Sequence, residues 1–429
     1  MVSRREFLPA VAAGLALPLI PAPAGADTNA LVRQLEADLQ QHAAFGEKFS
    51  GGTGDLSTAD WIMGRLAGLG YAVDVSTFDV PFFSSSRSVL QVDQVTSEII
   101  PQSIVTPTGS SGVKAPLAVI RTLYDAVDAK DRIALVILPY GRHAAIMRPP
   151  IAPLVRAAAA AGAKAVIIVT TGPSAEAVAL NTPMDEPFVP LPTAILAPRD
   201  AEPFVMAART GTPATIVIDG VNERRPTRNI VGRLVRGSQW LALSTPRSGW
   251  FQCVGERGTG TAAFLVLAEW IAKRFPDISI FAMNTGGHEL DFRGMHLAMA
   301  AAPPAESTKL FVQLGAGLAT RDCFEFGGKI TMLPSADPNR MLMVSENILP
   351  IATKTFSGLA GLEQPMSVVK GAGELSDIMA RGYPTAFAVL GVHRWFHTRA
   401  DDLDKVDARL LAPVVEAHQR LIEHVLSRI

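Results

Sequence analysis

Three places in the chain bring the side chains of acid–base and metal chemistry close to turns. Glu256 and Arg257 lie in the loop from Ser244 to Gly260, His288 and Glu289 follow Gly287, and His397 stands in Trp395-Phe396-His397-Thr398-Arg399-Ala400-Asp401. The first two places belong to one stretch, Leu241 to Leu290, which reads as a short apolar strand, a loop, an amphipathic helix and a second strand. Two strand ends, each followed by a loop with a carboxylate, aim polar groups at one rim of a sheet, where open α/β sheets build their sites. Each residue also has a plain structural role. Glu256 beside Arg257 reads as a salt-bridged loop pair, and Gly258 to Gly260 as a turn into a helix whose Phe264, Leu267, Ala268 and Ile271 face is core. His397 beside two aromatic rings reads as a half-buried histidine bonded to Asp401 or Asp402, although a carboxylate partner is also what a zinc-bound imidazole has. His143 reads as a loop or surface histidine, and His296 and His393 as structural.

The elements that must position these groups follow from pattern. A helical stretch from Asn29 to Leu69 is interrupted at Ser50-Gly51-Gly52-Thr53-Gly54, and Gly70 stops it before the strand Ala72 to Val75. Ser-rich and Pro-rich stretches at Ser84 to Ser88 and Thr106 to Gly112 read as linkers or long loops, which suggests a boundary near Gly112. Beyond it comes a self-contained α/β pattern: strand Ile133 to Leu138, alanine-rich helix Ile151 to Ala161, strand Ala165 to Val169, the run Pro190 to Leu196, helix Ala201 to Ala208 and strand Ala214 to Ile218. Arg228 to Leu234 is a further strand, and Trp240 to Leu243 the next.

Composition bounds the partners. Nearly half of the 429 residues are apolar and the net charge is −1, which gives no support for a nucleic-acid partner or an anionic membrane surface. At its start the chain reads Ser3-Arg4-Arg5-Glu6-Phe7-Leu8, then an apolar run from Ala10 to Ile20 and Ala24-Gly25-Ala26. This is the pattern of a twin-arginine export signal over residues 1–26, with a mature protein that is periplasmic or secreted. Its apolar run falls short of the ~20 residues that a permanent anchor needs, so no stable membrane anchor is expected. The rest of the chain is long enough to favour two domains. Only Cys253 and Cys323 occur, and whether they pair depends on a distance that sequence does not supply.

The helix, Ala161-Gly162-Ala163-Lys164-Ala165-Val166-Ile167-Ile168 and Leu191-Pro192-Thr193-Ala194-Ile195-Leu196 resemble the protease-associated domain inserted into many secreted peptidases, which implies an insert at 113–220. The flanking order is Asn229-Ile230-Val231-Gly232, a short strand, Gly255-x-x-Gly258-x-Gly260-Thr261-Ala262 entering a helix, a strand ending in Gly287-His288-Glu289, then Ser376-Asp377 and Phe396-His397-Thr398. That order resembles the zinc aminopeptidases and carboxypeptidases of metallopeptidase family 28. The resemblance implies an α/β fold, a mostly parallel central sheet flanked by helices, built from 27–112 and 221–429. Members of the family normally hold two zinc ions sharing one aspartate.

What the resemblance implies for the site depends on the departures from the pattern. Where the family has His-x-Asp, this chain has Thr245-Pro246-Arg247, and the strand whose end should carry an aspartate reads Val312-Gln313-Leu314. Every ligand specific to the first zinc is thus absent. Glu256, Glu289 and His397 match the second site, and two carboxylates with an imidazole around an open position suit a single tetrahedral zinc. Glutaminyl cyclases, distant relatives, also use one zinc. His288 falls where the family has its general base, and neutral imidazole, with a reference pKa of about 6.5, is suited to take a proton. Arg247, Arg257 and Glu374 are the candidates for substrate contact, the arginines as holders of a substrate carboxylate or as partners of Glu256 and Asp377. The expected function is an exported single-zinc hydrolase acting on a peptide or other small amide. The alternative is a peptidase fold that has lost catalysis and serves as a binding or scaffold domain.

Overall fold

A computed structural model describes residues 28–368 and 371–427, so the expected export signal lies outside the described residues. The apolar runs become strands because each alternates its side chains between two helix-covered faces. In β8 (Trp240–Pro246), Leu241 and Leu243 enter one core while Ala242 enters the other. The same alternation holds in β9 (Ser279–Thr285), with Ile280 and Ala282 opposite Phe281 and Met283, and in β10 (Thr308–Leu314) and β15 (Ala386–Gly391). These four strands lie parallel in the order β9-β8-β10-β15, and both faces are buried, as a parallel sheet requires. One face carries α1 (Thr28–Ala44), α2 (Thr53–Gly68), α5 (Thr259–Arg274), α7 (Leu349–Thr355) and α9 (Ala408–Leu426). The other carries α6 (Arg293–Ala298) and α8 (Leu375–Ala380). Antiparallel β13 (Arg340–Val344) continues the sheet beyond β15, with the two-residue β14 (Met366–Ser367) at the edge.

The second body has its own sheet and two cores. Strands β3 (Val113–Ile120), β4 (Ile133–Ile137), β5 (Ala165–Val169) and β6 (Thr193–Leu196) are parallel. Helix α3 (Ile151–Ala160) covers one face and α4 (Glu202–Thr210) the other. The two bodies are welded by a ribbon of β1 (Ala72–Val92) and β7 (Pro213–Leu234), paired antiparallel from Ala72↔Arg233 to Gln91↔Thr215. The whole forms one 13-stranded sheet, with a separate hairpin of β11 (Arg321–Phe326) and β12 (Lys329–Ala336).

Three expectations change. Ser84 to Ser88, read as a linker, lies inside β1, because the polar backbone there is satisfied by the β7 ladder. The two strands expected at Ala214 and Arg228 are one continuous β7 for the same reason. The boundary near Gly112 also moves: Leu90, Val92, Ile99 and Val105 pack into the second body's core, and β2 (Val95–Pro101) pairs with β6. Cys253 and Cys323 are free, the first buried and the second partly exposed. Among the described residues no helix is long and apolar enough to cross a membrane.

Candidate functional site

The ends of β8, β9 and β10 and the loops behind them form the expected rim. After β8 the chain turns through Trp250 and Phe251 into a π-helical turn, Val254–Gly258, that leads straight into α5. A single residue type allows this. A Cβ on Gly255 would stand 2.6 Å from Asp401 Oδ1, so glycine lets that carboxylate close in and accept the N–H groups of Gly255 (2.8 Å) and Glu256 (3.0 Å). Asp401 is therefore bonded to the turn and not to His397, as the sequence had suggested; His393 faces it at 3.4 Å.

Glu256, completely buried, meets two partners at one oxygen. Arg257 Nη2 lies 2.6 Å from Glu256 Oε1, and His397 Nε2 lies 3.1 Å from the same atom. Oε2 is buried without a hydrogen-bond partner. Burial pushes this carboxyl up, but Arg257 and then His397 outweigh it and bring it down to about 2. Arg257 is held by its Nε, which donates to Ser248 O at 3.0 Å. His397 sits at φ +59°, a left-handed conformation that costs a non-glycine residue about 1–3 kcal/mol. It is fixed from outside. Ala179 donates its N–H to His397 O at 2.9 Å, and His397 Nδ1 lies 2.9 Å from Ala179 O, while Phe396 stacks on its ring at 3.8 Å. Oxygen atoms thus face both ring nitrogens.

Glu289, the third expected ligand, is engaged elsewhere. Its Oε1 accepts the Ser50 N–H at 2.6 Å and its Oε2 accepts the Ser248 hydroxyl at 2.7 Å. Burial raises its pKa. Among the described residues no three His, Cys, Asp or Glu groups converge on a point that could hold a metal ion. The zinc that the resemblance implies therefore does not fit these residues as they are folded: its nearest carboxylate already holds a guanidinium, and the third ligand has both oxygens taken.

His288 lies apart from that pair and is the more accessible group, with 12 % of its side chain exposed. Its Nδ1 is 2.9 Å from Glu374 Oε1, and its N–H donates to the Ser248 hydroxyl at 3.1 Å. Burial, then Arg257, keep the imidazole well below its ordinary pKa, so it is neutral. Glu374 is buried, and burial lifts it to about 7 against the opposing pull of Arg257 and of Gln313, whose Nε2 donates to Oε2 at 3.0 Å. A neutral imidazole oriented by a carboxyl group is an arrangement able to accept a proton at its free nitrogen. Gln313, noted in the sequence only for lacking a carboxylate, is what orients Glu374, and Ser244 in turn hydrogen-bonds to Gln313.

Arg247 proves structural. It is fully buried, its Nε lies 2.9 Å from Asp55 Oδ1, and its other nitrogens donate to Asn284 Oδ1 (3.0 Å), Thr227 Oγ1 (3.3 Å) and Arg228 O (2.6 Å). Its guanidinium is enclosed by these partners and fully buried, and sequence had named Asp377 and Glu256 as its partners, not Asp55. Asp377 instead faces His296 at 3.2 Å. Lys48, also buried and held near 8 by that burial, is a further residue that the sequence did not single out. His143 is structural, its Nε2 lying within 3.2 Å of Pro139 O and Thr171 O.

The second body closes over this rim. Besides Ala179, Thr182 donates its N–H to Glu289 O at 3.0 Å, and Trp250 Nε1 donates to Asn181 Oδ1 at 2.9 Å. Arg142 reaches across to Val392 O at 2.6 Å, and Arg293 to Asp185 at 3.2 Å.

No family model matches the sequence, and no curated protein matches it. Solved structures do match in fold. A peptidase M28 precursor from Shewanella amazonensis SB2B superposes with a TM-score of 0.71 at 15% identity, covering 93% of this chain and 96% of that one. A zinc aminopeptidase from Bacillus subtilis gives 0.70 at 18%, covering 92% and 94%. An aminopeptidase from Aneurinibacillus sp. strain AM-1 gives 0.64 at 18%, covering 92% and 93%. The chain has the zinc aminopeptidase-like fold, a largely parallel central sheet flanked by helices.

Proposed function

We propose that this chain is an exported protein of peptidase fold that holds peptide backbone at the rim of its sheet without zinc-dependent hydrolysis. The observation that carries the reading is the pair of contacts by which His397 holds the Ala179 peptide unit: the Ala179 N–H donates to His397 O, and the His397 ring Nδ1 lies against Ala179 O, each at 2.9 Å. The group that resemblance makes a zinc ligand is here occupied in binding a peptide unit, and Thr182 on the same segment binds Glu289 O. The ligand class is accordingly an extended peptide or a small amide. Export rests on the twin-arginine pattern of residues 1–26. The single-zinc hydrolase expected from the sequence requires Glu289 to leave Ser50 and Ser248, and Arg257 to leave Glu256.

The test uses the full mature chain against aminoacyl and peptidyl amides, with zinc and with chelator, while peptide binding is followed by Trp250 fluorescence. The expected result is peptide-dependent fluorescence change and no turnover that responds to either addition. Zinc-stimulated hydrolysis that disappears in Glu256→Gln overturns the reading. A second reading, metal-independent hydrolysis with His288 as base, is favoured by the 2.9 Å contact to Glu374. Turnover insensitive to chelator and lost in His288→Ala would select it.

A further inference from the structure

We propose that the Arg257 guanidinium is the resident cation of this site: it stands against Glu256, beside the contact that Glu256 makes with His397, and is what excludes a divalent metal there. The inference rests on the reading above of a site without zinc chemistry. Three features of this chain carry it. First, the two residues that the resemblance makes ligands are together and turned to each other, with His397 Nε2 3.1 Å from Glu256 Oε1 in a direct hydrogen bond. Second, the carboxylate has unused capacity, since Oε2 is buried with no hydrogen-bond partner. Third, the cation present is held in place by the chain, as a rigid planar guanidinium. Arg257 is 1 % exposed, is anchored through Nε to Ser248 O, and lies 2.6 Å from Oε1.

A buried anion needs a cation close by, and the chain supplies it from the next residue. A divalent ion at the same oxygen would be forced against that positive charge in a buried place where solvent screens little. Glu289 contributes nothing to the balance, its two oxygens being bonded to Ser50 and Ser248. Of the two obstacles to a metal, the engaged Glu289 and the Arg257 guanidinium, only Arg257 opposes one by its charge, and removing it leaves a buried carboxylate and an imidazole with room for another cation.

The experiment compares wild type, Arg257→Ala, Arg257→Lys and the double variant Arg257→Ala/His397→Ala, each produced with and without added zinc. Cobalt(II) is the probe: its visible spectrum reports coordination by nitrogen and oxygen, and a competing chelator gives the affinity. Arg257→Ala is expected to bind cobalt roughly 100-fold or more tightly than wild type, with a coordination band, and its melting temperature is expected to rise with metal. Arg257→Lys, which keeps a charge, is expected to stay as refractory as wild type, and the double variant to lose the gain. Wild-type affinity equal to that of Arg257→Ala overturns the inference. So does a folded Arg257→Ala that binds no better than wild type, or an unfolded one that metal fails to rescue. Zinc-dependent hydrolysis by wild type would instead overturn the functional reading, so the two failures are distinguishable.

Discussion

Two carboxyl groups in the same rim, Glu256 and Glu374, are almost equally buried, yet one is driven down to about 2 and the other up to about 7. Burial raises both. Glu256 has a guanidinium at 2.6 Å, whereas Glu374 has a neutral imidazole at 2.9 Å and an amide at 3.0 Å. The nearest cation, and not depth in the protein, therefore sets the charge of a buried acid here. One corner of the site is a permanent ion pair sealed by the second body, and the other keeps a proton that exchanges near neutral pH.

The largest expected effect breaks the first corner. Replacing Arg257 by methionine leaves Glu256 buried with only His397 against it, and should lower stability by about 3–5 kcal/mol. His288→Ala, which removes one hydrogen bond at the other corner, should cost about 1 kcal/mol. Urea titration of both variants checks this, and equal losses would mean that the corners are energetically alike.

Next in size is the pH dependence, where the two acids carry opposite signs. Glu256 has a folded pKa below its ordinary 4.5, so its contribution is complete above pH 4.5 and is lost as pH falls towards about 2. Glu374 has a folded pKa above 4.5, so its contribution is complete below pH 4.5 and is lost as pH rises through about 7. In melting curves taken across pH, Glu256→Gln should flatten the acid limb and Glu374→Gln the decline towards neutrality. A single limb that responds to both substitutions would remove the distinction.

The smallest effect concerns the cover. Asn181→Ala removes the bond from Trp250 and should destabilise by about 1 kcal/mol while speeding hydrogen exchange at the Ala179 and Thr182 amides. Unchanged exchange there would show that the second body seals the rim without help from this contact.

Much of this architecture was legible in the residues. Runs such as Leu241 to Leu243 and Ile133 to Leu138 declare strands because only burial on both faces tolerates unbroken apolar sequence, and Gly258 to Gly260 announces the entry to α5. Glu256, His288 and His397 were singled out as rim residues, and the rim does gather them. Other features were hidden because they depend on partners far apart in the chain. Arg247 and Asp55 are separated by 192 residues, and Ser50, which takes Glu289, sat in what read as a flexible loop. The Ser84 to Ser88 stretch looked like a linker, since sequence does not reveal that β7 lies alongside to satisfy its backbone.

Local pattern alone therefore determined where most strands and helices fall along the chain, because these follow from periodicity and residue identity, whereas the expected fold class and the missing ligand types came from the resemblance to a family. Only tertiary structure decided which charge stands against which. Read from sequence, a carboxylate next to an arginine is as free to bind a metal as to pair with the guanidinium, and the choice of Arg257 for Glu256, of the two serines for Glu289 and of Ala179 for His397 is made by packing that brings those atoms within 2.9 Å.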